Sequence, residues 1–109
     1  MITGWTALIV AGIFEVGFTT LLKLTDGFTK YFYIALFMIS AILSFYFLTQ
    51  AMKTIPLGTA YAVWTGIGAF GTVLVGIFFY KDPASLWRIF FLTILIGSII
   101  GLKIVSKGA

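Results

Sequence analysis

Polar residues cut this chain into four apolar runs. The first, about residues 2–22, ends in Lys23-Leu24-Thr25-Asp26-Gly27. The second, 31–52, carries no charge and ends at Lys53-Thr54-Ile55-Pro56-Leu57-Gly58, where proline and glycine mark a turn. The third, 59–80, is also uncharged and stops at Lys81-Asp82-Pro83. The fourth, 87–105, is closed by Lys103 and Lys107. A bilayer core about 30 Å thick is crossed by about 20 apolar residues in a helix. The pattern therefore predicts an all-α membrane protein, a single domain over residues 1–109 with four transmembrane helices. Trp5, Tyr31, Tyr33, Tyr80 and Trp87 lie near the run ends, where interfacial aromatic belts sit.

Composition supports this and narrows the chemistry. The 109 residues are 61% hydrophobic and 9% charged, against about 25% charged in soluble domains, so too little polar surface exists to coat a soluble fold. The net charge of +4 is scattered, which fits membrane-flanking anchors and no nucleic-acid partner. With no cysteine and no histidine, thiolate metal sites and the commonest general base are missing. No enzyme, metal or cofactor is expected. The start, Met1-Ile2-Thr3-Gly4-Trp5, has no basic residue, and a glutamate interrupts the first run, which argues against a signal peptide. Lys23, Lys30, Lys81 and Arg88 share one side of the membrane, and Lys53, Lys103 and Lys107 the other. Four against three is almost no positive-inside bias. Either other details of the chain set its orientation, or it inserts both ways and copies of opposite orientation pair as an antiparallel dimer.

Glu15 is the most informative residue. It is an ionisable group in the middle of an apolar run, where insertion costs about 2.5–3.5 kcal/mol and where such groups usually mark an ion or substrate path. A plainer alternative is a neutral glutamate, or one paired to Lys23 two turns on. A carboxylate in this setting holds a proton or a cation, but not both well. That exclusivity is the basis for proton-coupled exchange. Leu8, Gly12, Glu15 and Thr19 share a helix face. Gly12 leaves room beside the carboxylate, and Phe18 lies within one turn.

The third run adds aromatics and glycines. Tyr61, Trp64, Gly68 and Gly71 fall on one side of a helix. A tryptophan face attracts a desolvated cation by up to about 2 kcal/mol, and the Tyr61 hydroxyl is a candidate hydrogen-bond donor to Glu15. A plain packing stripe is the alternative. The Gly66-x-Gly68-x-x-Gly71 spacing matches a dinucleotide fingerprint, but no strand precedes it. Inside a membrane helix these glycines suit close approach or a bend. Gly97-x-x-x-Gly101 is a small-xxx-small pattern that suggests the dimer contact. Ser44, followed by Phe45, Tyr46 and Phe47, either bonds a backbone carbonyl or orients Glu15 or a ligand.

These residues resemble the small multidrug resistance family over essentially the whole chain. The match lies in Ala11-Gly12-Ile13-Phe14-Glu15-Val16, Lys23, Gly27-Phe28-Thr29 and the stretch from Ile55 through Trp64. The resemblance implies an antiparallel, dual-topology dimer in a bacterial inner membrane that exports cations in exchange for protons. It implies that Glu15 is the shared proton and substrate site. Gly12, Ser44, Tyr61 and Trp64 would line the pocket. Trp64-Thr65-Gly66-Ile67-Gly68-Ala69 and Ile100-Gly101-Leu102-Lys103 look like the guanidinium-exporting branch. Phe18 stands where that branch usually has tryptophan, and Val16-Gly17-Phe18-Thr19-Thr20 looks more like the drug-exporting branch. Guanidinium-like cations are the favoured substrates, and quaternary ammonium drugs the alternative. A paired-chain heterodimer and a structural membrane subunit are the other readings held open.

Overall fold

The computed structural model describes residues 3–105. Lys107 and the expected start of the first run at residue 2 lie outside them. Four helices follow one another: α1 Gly4–Leu24, α2 Tyr31–Ala51, α3 Leu57–Phe79 and α4 Leu86–Val105. They contain 21, 21, 23 and 20 residues, and all four are long and apolar enough to cross a membrane. At about 1.5 Å per residue each reaches about 30 Å, the thickness to be spanned.

Local chemistry sets the helix ends. The Thr3 hydroxyl accepts from the Thr6 N–H at 3.1 Å and caps α1. After α1 the backbone turns left-handed at Asp26, Gly27 and Phe28. Buried Thr25 fastens this reversal: its hydroxyl donates to Leu22 O at 2.7 Å and accepts from the Phe28 N–H at 3.2 Å. α3 starts two residues earlier than the run suggested, because Pro56 takes the N-cap position, where a residue with fixed φ loses little. Beyond α3, left-handed Lys81 turns the chain back so that the Tyr80 and Asp82 N–H groups both donate to Gly76 O at 3.0 Å.

Small residues decide the packing. α1 lies between α2 and α3, and α4 leans on α3. Ala7, Leu8 and Ala11 of α1 meet Leu48 and Ala51 of α2, Ile55 of the following turn, and Ala60, Val63 and Trp64 of α3 in one buried cluster. Lipid is as apolar as leucine, so association of such helices relies on close van der Waals contact. Gly12 shows how close: a Cβ there would stand 2.6 Å from Ile67 Cγ2. α4 buries none of its residues.

Candidate functional site

Glu15 sits on α1 where α3 comes nearest, and Gly68 makes this possible. A Cβ at Gly68 would collide with the Glu15 carboxylate, and one at Gly71 with Val16. The absence of side chains on α3 thus creates the space the carboxylate occupies. Glu15 Oε1 is buried and has no hydrogen-bond partner among the described residues. A buried polar atom left this way costs about 1–3 kcal/mol, more when charged. Lys23 is not its partner: that ammonium lies 5.0 Å from the Tyr80 ring.

One turn before Gly68, Trp64 is held by a relay through three helices. Its indole N–H donates to Ser44 Oγ at 2.9 Å, and Ser44 Oγ donates to Ala11 O at 2.7 Å. Of the two alternatives for Ser44, the bond to a backbone carbonyl is present; the second partner of the hydroxyl is Trp64 rather than Glu15. Ser40, a turn earlier on α2, repeats the motif by donating to Phe14 O at 3.0 Å. The two serines clamp α2 to the backbone of α1 on either side of the residues that lead to Glu15.

An aromatic wall completes the site. The Trp64 ring lies 5.6 Å from Phe45, 5.9 Å from Tyr61 and 6.5 Å from Phe18, and Phe18 lies 6.1 Å from Phe45. Tyr61 is 56% exposed and makes no hydrogen bond to Glu15. Its ring opens outward. The structure therefore brings Gly12, Glu15, Phe18, Ser44, Trp64 and Gly68 into one region and leaves Tyr61 on its rim.

α3 is helical without a break through Gly66, Gly68 and Gly71. Their role in this structure is close approach. Gly68 and Gly71 admit α1, and a Cβ at Gly66 would stand 2.8 Å from Ile99 of α4. Gly97 and Gly101 have nothing within 4 Å of where a Cβ would be.

Sequence reasoning passed over Ser40 and Thr72. The spacing of Ser40 and Ser44, one turn apart on an otherwise apolar helix, is a signal that could have found the first. Thr72, whose buried hydroxyl also lacks a partner, gives no such signal.

With this geometry in place, comparison with known proteins is decisive. A family model described as Small Multidrug Resistance protein matches residues 3–95. The chain belongs to the small multidrug resistance family. It is 46% identical over 102 residues to a Bacillus licheniformis protein named probable guanidinium efflux system subunit GdnD, covering 94% of this chain and 98% of the relative. It is 43% identical over 102 residues to a protein of Yersinia pestis, and 42% to one of Proteus vulgaris, both named guanidinium exporter, with the same coverage. Small multidrug resistance proteins are transporters and not enzymes. Membership, with four membrane-spanning helices, makes this chain a multi-pass protein of the bacterial inner membrane.

Proposed function

We propose that this chain is a proton-coupled antiporter exporting guanidinium-like cations, and that it works as an antiparallel, dual-topology homodimer of one four-helix domain. The observation that carries this reading is the Glu15 carboxylate at the α1–α3 contact, one of whose oxygens is buried and has no hydrogen-bond partner among the described residues. The names of the relatives point to the same cargo.

The mechanism follows from exclusivity. A planar guanidinium offers paired N–H donors that match the two oxygens of a carboxylate. When Glu15 takes a proton it loses that charge, and the cation leaves on the side from which the proton came. Gly68 provides room for the carboxylate, and Gly12, against Ile67, lets α1 and α3 come together beside it. Ser44 fixes Trp64, and Trp64, Phe18 and Tyr61 form the aromatic boundary of the pocket. In the homodimer, Tyr61 is positioned to close over the site from its rim. Gly66, Gly68 and Gly71, which lack side chains to lock their contacts, are the part of α3 on which the pocket reshapes. The uncovered stretch of α4 around Gly97 and Gly101 is the proposed contact between subunits.

A second reading has its own observation. Phe18, Phe45, Trp64 and Tyr61 form a continuous aromatic surface, which suits a quaternary ammonium that has no donors and relies on ring faces. The word subunit in the name of the Bacillus licheniformis relative also supports a paired second chain in place of a homodimer.

Substrate-evoked current from purified protein in liposomes tests these readings. Guanidinium is expected to evoke a current that Glu15→Gln abolishes and that weakens as pH falls, because protons compete for the same oxygens. A response to tetraalkylammonium alone would move the assignment to the second reading. Silence to both from a folded homodimer would favour a missing partner chain or a structural subunit.

A further inference from the structure

The bundle contains a second polar feature that the pocket does not use. On α1, Glu15, Thr19 and Lys23 recur at every fourth residue, and on α3 so do Gly68, Thr72, Gly76 and Tyr80. The stripes face each other. Gly68 lies against the Glu15 carboxylate at one end, and the Lys23 ammonium stands 5.0 Å from the Tyr80 ring at the other. Between them is a cavity of about 170 Å³, lined among others by Thr19, Thr20, Lys23, Thr72, Tyr80 and Asp82.

Thr72 gives this seam its meaning. Threonines in these helices ordinarily satisfy themselves: Thr20, Thr65 and Thr93 donate to the carbonyl four residues back at 2.8, 2.9 and 2.9 Å. Thr72 does not, and its oxygen is buried without a partner. The other buried side-chain oxygen in that condition among the described residues is Glu15 Oε1. Both orphans belong to the same seam. Glycine at position 76 keeps the seam open, and the turn at Lys81 folds the Asp82 carboxylate over it. A cavity of this size with hydroxyl walls takes several waters. Its floor at Thr19 is one turn, about 6 Å of rise, from Glu15.

We propose that the α1–α3 seam is a water-lined path along which protons travel between Glu15 and the α3–α4 end of the subunit, with Thr72 as the positioning hydroxyl beside the carboxylate and Lys23 and Asp82 at the mouth. This rests on the reading of Glu15 as the proton site. The path is distinct from the cargo side. Phe18, Phe45 and Trp64 pack together where α2 meets α1 and α3, and α2 brings no charged group. The α2 hydroxyls nearby, Ser40 and Ser44, are committed to Phe14 O and Ala11 O. The charged groups along the seam are Lys23 and Asp82, with Lys81 adjoining. Proton and cation thus approach one carboxylate from different sides.

The chain has no cysteine, so single replacements report cleanly. In liposomes, Thr72→Cys is expected to react with a small charged thiol reagent at least tenfold faster than Thr93→Cys on α4. Equal rates would show a dry seam and overturn the proposal. In a pH jump, the part of proton uptake that Glu15→Gln removes is expected to slow at least fivefold in Thr72→Val and to stay near the parental rate in Thr72→Ser. Unchanged uptake in Thr72→Val would overturn the path and leave Glu15 as proton site. If Glu15→Gln removed no uptake at all, the proton-site reading itself would fail, and the path with it.

Discussion

The Ser44 hydroxyl joins three helices with one oxygen. It donates to Ala11 O on α1 and accepts from the Trp64 indole on α3. Ser44→Ala would leave the buried Trp64 N–H without its partner, at about 1–3 kcal/mol, while Ala11 O keeps its bond within α1. The expected outcome is a melting temperature lowered by several degrees together with weaker guanidinium binding, since Trp64 loses its restraint. Unfolding followed by tryptophan fluorescence and equilibrium binding would check the two parts separately. Residues of this kind differ in how plainly they can be read beforehand. Glu15 stands out in the sequence because a carboxylate among apolar neighbours is costly unless it is used. Thr72 does not stand out, because a helical threonine normally bonds its own backbone. Only the rotamer and the facing helix show that this one does not.

At the scale of the helix, glycines on α3 act by what they leave empty. Gly68 has the Glu15 carboxylate where its side chain would be, and Gly76 has that of Asp82. Gly68→Ala is expected to displace Glu15 and lower guanidinium affinity at least tenfold, with the helix itself slightly favoured because alanine is the better helix former by about 1 kcal/mol. A binding titration on protein shown to be folded by its helical circular dichroism is the check. The helices themselves were readable from the runs, apart from shifts of two residues where Thr3 and Pro56 cap and at the end of α1, and of one residue elsewhere. Which face α2 and α4 present was harder to read, because they are apolar on nearly every side, whereas the stripes through Glu15 on α1 and Gly68 on α3 marked a face in the sequence. The order α2, α1, α3, α4 across the bundle, and with it the pairing of Glu15 with Gly68, emerges only from the fit of small residues.

For the molecule as a whole, the four-to-three balance of basic residues bears on the proposed antiparallel pair. Tyr31 and Ala84 are exposed beside the helix ends on the side that has four. Replacing both, as Tyr31→Lys with Ala84→Lys, would make the balance six to three. The chain is then expected to insert one way and to lose transport when expressed alone. Cysteine accessibility from each side of the membrane, read with guanidinium flux, would test this. Full transport by chains of uniform orientation would exclude an antiparallel pair.

The exposed state of α4 separates two tasks. It leans on α3 while burying none of its own residues, whereas every group around Glu15 comes from α1, α2 and α3. In the proposed dimer, recognition between subunits and recognition of cargo therefore reside on different helices. Changes accumulating on α4 alter the company a chain keeps without touching what it carries. A duplicated copy of such a chain is free to drift from pairing with itself to pairing with its twin, while the carboxylate and its surroundings stay as they were.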